Sequence, residues 1–379
     1  SNYLYTKMEV IQILKENLTD QNQFLKEHNI VFRKYSKESS MILKIKGREN
    51  DNDINSWTRF CRGFIYNLSD MSVLSVPPVK SNELTKEEFF SKELGEKNVI
   101  QELVDGTMIN MYYHNDKWNL STRSSIGCNN KWDNQKSFHE LFKECGQIVE
   151  EYMDKELNYS FVLRHKENRI ITPIPRNELI LVEVHRGAEN IPLMDCRKVV
   201  EEICETNGLK DLGFTFVKQF KTNNYEDLDK LFHLADNILV KGFTIKDYDL
   251  NTRYKWISPS YKYLEELKIN TNNKCMGYLS LRKNGNLKNY LSYFPEDRHQ
   301  FNEYRELFRT IVDKLFNSYQ SAFVHKTLEK KDVDYALKPL MYELHKTYLD
   351  TKKPTTYNMV KEYFHNLPVK KIQFVMNYY

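Results

Sequence analysis

The chain has 379 residues and a formal net charge of +4 at pH 7, which excludes a wholesale polycation but leaves room for a local basic groove. Hydrophobic residues make up 40% and charged residues 28%, without a long block of either sign, so large cores can be buried and disorder is not expected. No apolar run approaches the ~20 residues of a membrane span, and no membrane partner is expected. The six cysteines (Cys61, Cys128, Cys145, Cys196, Cys204 and Cys275) show neither Cys-x-x-Cys nor zinc-finger spacing. They read as reduced thiols of an intracellular, cytoplasmic protein.

In chain order, residues 7–28 carry a helical apolar stripe through Val10, Ile11 and Leu14 to Phe24 and Leu25, and 29–50 alternate as one or two strands ending in a loop at 48–53. Trp57-Thr58-Arg59-Phe60-Cys61-Arg62-Gly63-Phe64-Ile65-Tyr66 leads into a hairpin closed by 72–76. Two strands, 98–104 and 108–113, flank the turn at Asp105-Gly106. An amphipathic helix is expected over 134–156 and strands at 160–164, 169–173 and 178–184. Helices near 195–207 and 225–236 bracket a strand around 215–220, and two more strands cover 242–248 and 254–257.

The pattern predicts an α+β protein with mostly antiparallel sheets and a small all-helical C-terminal domain. Residues 1–54 would pack on a domain spanning 55–265. A connector over 266–294 would carry a hairpin at Lys283-Asn284-Gly285-Asn286, and 295–379 would be helical.

Five pieces stand in a telling order: Cys61-Arg62-Gly63-Phe64; Asp105-Gly106-Thr107; Ser121-Thr122-Arg123-Ser124-Ser125-Ile126-Gly127; Phe161 through Asn168-Arg169-Ile170; and Lys241-Gly242-Phe243 with Tyr254-Lys255-Trp256-Ile257. Together they resemble the phage-type RNA ligases of the covalent nucleotidyltransferase superfamily, over roughly residues 55–265. The tail, with Leu344-His345-Lys346-Thr347-Tyr348-Leu349, resembles the C-terminal regions of ligase-like proteins from large DNA viruses, which would place the chain in host cytoplasm or virion.

The chemistry of that family needs a lysine amine to attack the α-phosphate of ATP, a carboxylate for the nucleotide sugar, a second for the divalent metal, and a lysine pair for the phosphates. This chain departs at each place. Leu103 stands where the nucleophile would be. Val162, or Leu163 if the register slips, replaces the sugar-binding acid. Lys241 reverses the metal-binding charge, and Ile257 replaces the lysine two residues beyond Lys255. No catalytic residue, metal site or cofactor is therefore expected.

What remains is basic. Arg62, Arg123, Arg164, Arg169, Lys241, Arg253 and Lys255, with Asp105 at the turn, are the candidate RNA- or nucleotide-binding residues. Trp118, Phe243 and Trp256 would be stacking platforms in that reading and core residues in a purely structural one. His165 is expected to be a packed histidine. Two alternatives stay open. In one, ATP and Mg²⁺ serve an active ligase whose nucleophile has moved to Lys80, Lys97 or Lys255. In the other, the helical tail over 295–379 binds a protein partner as a scaffold.

Overall fold

The computed structural model describes residues 9–46, 56–131, 136–187, 192–220, 225–234, 236–269 and 273–379. The loop expected at 48–53, and residues 7–8, 134–135 and 235 of the expected helices, lie outside the described residues. The chain divides into two compact units at Tyr263/Leu264.

The first unit carries three sheets. Strands β1 (Ile30–Tyr35), β2 (Ser40–Ile45), β3 (Arg62–Asn67) and β4 (Val73–Ser75) form an antiparallel sheet in chain order. After them come β5 (Ser81–Glu83), β6 (Asn98–Leu103), β7 (Thr107–His114), β8 (Lys117–Ser121), β9 (Leu157–Arg164) and β10 (Glu178–Arg186). Two-residue strands β11 (Thr215–Phe216) and β12 (Gln219–Phe220) follow, then β13 (Gly242–Asp247) and β14 (Thr252–Ile257). The second sheet runs β11-β10-β9-β7-β8 and the third β12-β6-β13-β14-β5, and among the described residues only β10–β11 and β14–β5 pair in parallel. The α+β class with antiparallel-dominated sheets is thus the architecture found.

Period-2 alternation divides each strand between two faces. On the second sheet, Ile109, Met111, Tyr159, Phe161, Leu163 and Leu181 turn to one core, which the helix Phe138–Cys145 covers. That helix starts on a Ser137/Glu140 capping box. It stops at Gly146, where a Cβ would lie 2.6 Å from the Gly213 carbonyl oxygen. The single helix expected over 134–156 is therefore cut short, and only a 3₁₀ turn at Glu150–Tyr152 follows. The helix expected over 7–28 is likewise two, Glu9–Glu16 and Gln21–Glu27. The expected strand at 169–173 is an irregular segment instead. Ile42 and Ile65 of the first sheet pack with Tyr112 and Ile126, fixing β3 against the loop that follows β8.

The second unit is helical. In place of the expected hairpin at 283–286, the segment holds two helices, Lys274–Lys283 and Leu287–Tyr293. The chain there carries Leu279, Tyr278 and Tyr290 at helical rather than alternating positions, all buried. Helices Arg298–Tyr319, Lys338–Thr351, Tyr357–Asn366 and Val369–Tyr378 enclose Phe308, Ile311, Leu315, Met341, Phe364 and Val375. Among the described residues, no helix is long and apolar enough to cross a membrane.

Candidate functional site

The turn between β6 and β7 sets the geometry. Leu103 ends β6 opposite Gly242 of β13. Gly106 lies flat against β9, where a Cβ would be 2.5 Å from the Leu163 carbonyl oxygen and 2.6 Å from a Val162 methyl. A side chain there would force the two strands apart. Asp105 is buried and its carboxylate is fully engaged. Oδ2 accepts from the Ile171 and Thr172 amides at 2.9 and 2.8 Å and from the Thr172 hydroxyl at 3.3 Å. Oδ1 accepts from the Tyr261 hydroxyl at 3.0 Å and has the Lys241 ammonium at 3.7 Å. This acid braces the fold, tying the turn to the 171–172 segment and to Tyr261.

Four cations gather nearby from different elements. Gly63, at φ +100°, brings the β3 backbone so close that a Cβ would meet the Arg123 Cα at 3.1 Å; a left-handed φ and no room together require glycine. Arg62 and Arg123 become neighbours by this contact. On β14, Arg253 and Lys255 share one face, while Tyr254 and Trp256 turn to the opposite, apolar side. Burial, with Arg123 and Arg253 close by, brings the Arg62 guanidinium down to about 9. Burial, with Lys241 and Arg62 close by, brings the Lys255 amine down to about 8. Arg123 and Arg253 are also lowered, mainly by burial, and Glu183 partly offsets this for Arg253. Among the described residues, none of these four makes an ion pair with a carboxylate. The Arg253 Nε and, beside Lys255 in register, the Thr244 hydroxyl are buried without a hydrogen-bond partner.

The rest of this face is apolar. Val162 packs with Ile180, Val182 and Val217, and with Val104 and Met108 at the turn. Leu163 points to the opposite core, so the register puts Val162, not Leu163, on the cleft side. One buried pair interrupts the apolar surface. The Lys246 ammonium of β13 lies 2.9 Å from Glu183 of β10 and donates to the Val182 carbonyl at 2.9 Å. Burial raises the Glu183 carboxyl and lowers the Lys246 amine, but their mutual attraction outweighs both, leaving the acid lowered and the amine raised. His185, fully buried 3.5 Å from Glu183, is held down by burial and is neutral.

The other candidate residues do not join the four. Arg164 pairs with Glu178 at 3.3 Å and donates to the Pro173 carbonyl. The Arg169 Nε donates to the Ile171 carbonyl at 3.0 Å, bracing the segment that holds Asp105. Phe243 and Trp256 stack on each other within the core and are not available as platforms. Trp118 packs against the helix-covered core of the second sheet, where with Phe142, Ile148 and Lys143 it lines a separate cavity of about 560 Å³. His165 is buried, with Nε2 donating to Glu144 and Nδ1 accepting from the Glu167 amide. Glu144, His165 and Glu167 are metal-ligand types within reach of one another, but the Lys136 ammonium bridges the two carboxylates at 2.9 and 2.8 Å and supplies the cation.

A divalent metal does not fit the cleft. The acids beside the cations, Asp105, Glu183 and Glu83, each have a lysine partner already, at 3.7, 2.9 and 2.6 Å.

Arg253, a candidate from the sequence, is the neighbour of Lys255 that matters on this strand, rather than Ile257. Arg253, two residues before Lys255, gives the strand its second charge on that face. Lys246 was missed altogether. Its signal was the alternation Thr244, Lys246 opposite Phe243, Ile245, which puts a lysine on a buried face.

No family model matches this sequence. Over 165 residues the chain is 26% identical to a protein of Autographa californica nuclear polyhedrosis virus provisionally described as a bifunctional polynucleotide kinase/RNA ligase. The match takes in 38% of this chain and 23% of that protein, so the chain spans about a quarter of the length of this curated relative. Solved structures similar to it include an archaeal ATP-dependent RNA ligase, with a TM-score of 0.48 and 12% identity over 78% of this chain and 74% of that one. A protein of Aquifex aeolicus, provisionally described as an ATP-dependent DNA ligase, gives a TM-score of 0.45 and 15% identity over 90% of this chain and 80% of that one.

Proposed function

We propose that this protein has a ligase-like nucleotidyltransferase fold and binds phosphates of RNA or of a nucleotide in its basic cleft, without forming a covalent nucleotidyl intermediate. The observation that carries the reading is the set Arg62, Arg123, Arg253 and Lys255. Arg62, Arg253 and Lys255 are partly buried and crowd one another, Arg123 lies exposed beside Arg62, and none of the four makes an ion pair with a carboxylate among the described residues. Burying like charges together is costly unless something anionic is bound. Guanidinium groups also suit phosphate oxygens in particular.

The lack of covalent chemistry follows from Leu103, whose side chain has no nucleophilic atom at the end of β6, and from the cleft's unsuitability for a metal. The partial likeness to a viral kinase/ligase is consistent with a nucleic-acid role. Bound phosphate would be held by charge and by the unpartnered Thr244 hydroxyl and Arg253 Nε. An RNA backbone would release counterions on binding, so affinity would fall as salt rises.

Filter binding of a short labelled RNA between about 50 and 300 mM salt tests this. A steep salt dependence, weakened by Arg253→Ala, is expected; absence of binding at the lowest salt removes the proposal. Incubation with labelled ATP or GTP plus Mg²⁺ or Mn²⁺ tests the second part, and a covalently labelled band would favour a displaced nucleophile instead.

A further inference from the structure

We infer that the cleft grips a run of two or three contiguous phosphates and leaves the attached nucleoside outside, an inference that rests on the phosphate-binding reading above. The argument comes from two unlike groups of residues, the apolar cluster beside Leu103 and the cations of β3, β14 and the loop after β8. Beside Leu103 the space is occupied. Val162, Ile180, Val182 and Val217 pack together, Val104 and Met108 close on them, and a Val162 methyl lies 2.6 Å from where a Gly106 Cβ would stand. A ribose and base need both a slot and polar partners. The polar groups here are already used: Asp105 by the 171–172 amides and Tyr261, and the Asn168 amide by the Thr107 hydroxyl at 2.9 Å. Phe243 and Trp256, which might have sandwiched a base, are stacked inside the core on the other face of the third sheet.

Among the cations the reverse holds. Lys241 is offset by Asp105, which leaves four cations without an ion-paired carboxylate among the described residues, Arg253 and Lys255 being offset only in part by Glu183 and Glu83. A single phosphate brings only about −1.5 to −2 at pH 7, too little to balance four; two or three contiguous phosphates bring enough. Arg253 and Lys255, two residues apart on one strand, are spaced roughly 6.7 Å along it, a separation that spans a chain of phosphates better than one group. Arg62 and Arg123 approach from two other elements, so the chain of phosphates would be held from several sides. The buried, unpartnered Arg253 Nε and Thr244 hydroxyl supply donors that no protein group takes up.

Titration calorimetry of the full chain decides the matter, with inorganic phosphate, pyrophosphate, tripolyphosphate, ATP, GTP and adenosine as probes. A parallel assay compares one RNA sequence bearing a 5′-triphosphate with the same RNA bearing a 5′-hydroxyl. Tripolyphosphate should bind within about threefold of ATP and GTP, with phosphate much weaker and adenosine not bound. The 5′-triphosphate RNA should bind at least about tenfold more tightly than the 5′-hydroxyl RNA. If tripolyphosphate binds but the two RNAs do not differ, a free polyphosphate is the ligand and the grip on contiguous phosphates stands.

ATP binding about tenfold tighter than both GTP and tripolyphosphate would overturn the inference, because it would require a nucleoside pocket. RNA binding that is salt-dependent but indifferent to both end chemistry and tripolyphosphate would also overturn it, while leaving the broader proposal intact. Binding of no anion at all would bring down both. Lys255→Met should lose about tenfold in tripolyphosphate affinity. Val162→Ala, which alters only the apolar cluster, should leave that affinity unchanged. Should Lys255→Met not fold, Arg253→Lys keeps the charge and removes the second donor edge, and a loss of severalfold is expected there.

Discussion

Lys241 holds its ammonium 3.7 Å from the Asp105 carboxylate, where the turn after Leu103 meets the start of β13. The pairing makes this corner a closed internal contact. Lys241→Glu would set a second carboxylate against a buried one, a like-charge contact expected to cost on the order of 1–3 kcal/mol. Thermal melting in EDTA should show that loss. Millimolar Mg²⁺ should recover part of it in the variant and leave the wild-type melting temperature unmoved. A Mg²⁺-dependent rise in the wild type would mean that a metal does occupy the cleft.

Placing a lysine at the turn is a sharper test of the proposal that no covalent intermediate forms. Leu103→Lys places an amine at the end of β6, but Lys241 still stands opposite through Gly242 and Val162 still closes the facing strand. Labelled ATP with Mg²⁺ or Mn²⁺ should therefore give no adduct with this variant, as with the wild type. A labelled band in the single variant would show that the cleft kept the capacity to orient an α-phosphate. A band in the wild type would point to Lys255 or another native lysine, and peptide mapping of the label would identify it.

Fold and site were legible in the sequence to different degrees. Asp105-Gly106 and Arg62-Gly63 announced themselves because a turn and a close backbone approach demand particular residue types within a few positions. The α+β order with a helical tail followed from the same local signals. The role of Asp105 was not legible, since its partners at 171, 172 and 261 come from 66 to 156 residues away. The break at Gly146 depends on the Gly213 carbonyl, also a non-local contact. The two helices over 274–293 were hidden by Asn284-Gly285-Asn286, which reads as a hairpin turn but here separates helices. The gathering of Arg62, Arg123, Arg253 and Lys255 was expected only through the resemblance to the ligases, and that Arg164 and Arg169 are engaged elsewhere needed their partners Glu178 and Ile171.

The crowded cations make stability depend on pH in an unusual direction. The Lys255 amine sits at about 8, below its ordinary value of 10.5, through burial first and then the nearby Lys241 and Arg62. Between those values the native state has released a proton that the unfolded chain still binds, so stability rises with pH across that window. The gain should be on the order of 1 kcal/mol by pH 9. Arg62, at about 9, extends the trend upward. Anion affinity should move the opposite way, falling as Lys255 loses its charge. Melting temperature and tripolyphosphate titrations at pH 7, 8 and 9 should show the two trends crossing, and Lys255→Met should flatten both. A wild-type affinity unchanged from pH 7 to 9 would mean Lys255 does not face the ligand.

The buried Glu183–Lys246 pair separates what holds the cleft from what fills it. Lys246 ties β13 to β10 through both the Glu183 carboxylate and the Val182 carbonyl, with both side chains almost wholly buried. Removing one partner leaves an uncompensated internal charge, and about 3–5 kcal/mol of stability should go with it. Glu183→Gln and Lys246→Met should each melt well below the wild type. The double variant Glu183→Leu/Lys246→Met exchanges the pair for apolar groups of similar volume and should recover most of the loss, as buried pairs replaced together often do. Because the pair is neutral as a unit, phosphate affinity in the double variant should stay within about threefold of the wild type. The exchange keeps all four cations, Arg62, Arg123, Arg253 and Lys255, and takes from Arg253 only the partial offset of Glu183. If stability recovers while binding is lost, Lys246 itself contributes charge to the ligand site. If neither recovers, the Val182 carbonyl contact outweighs the ion pair in joining the sheets.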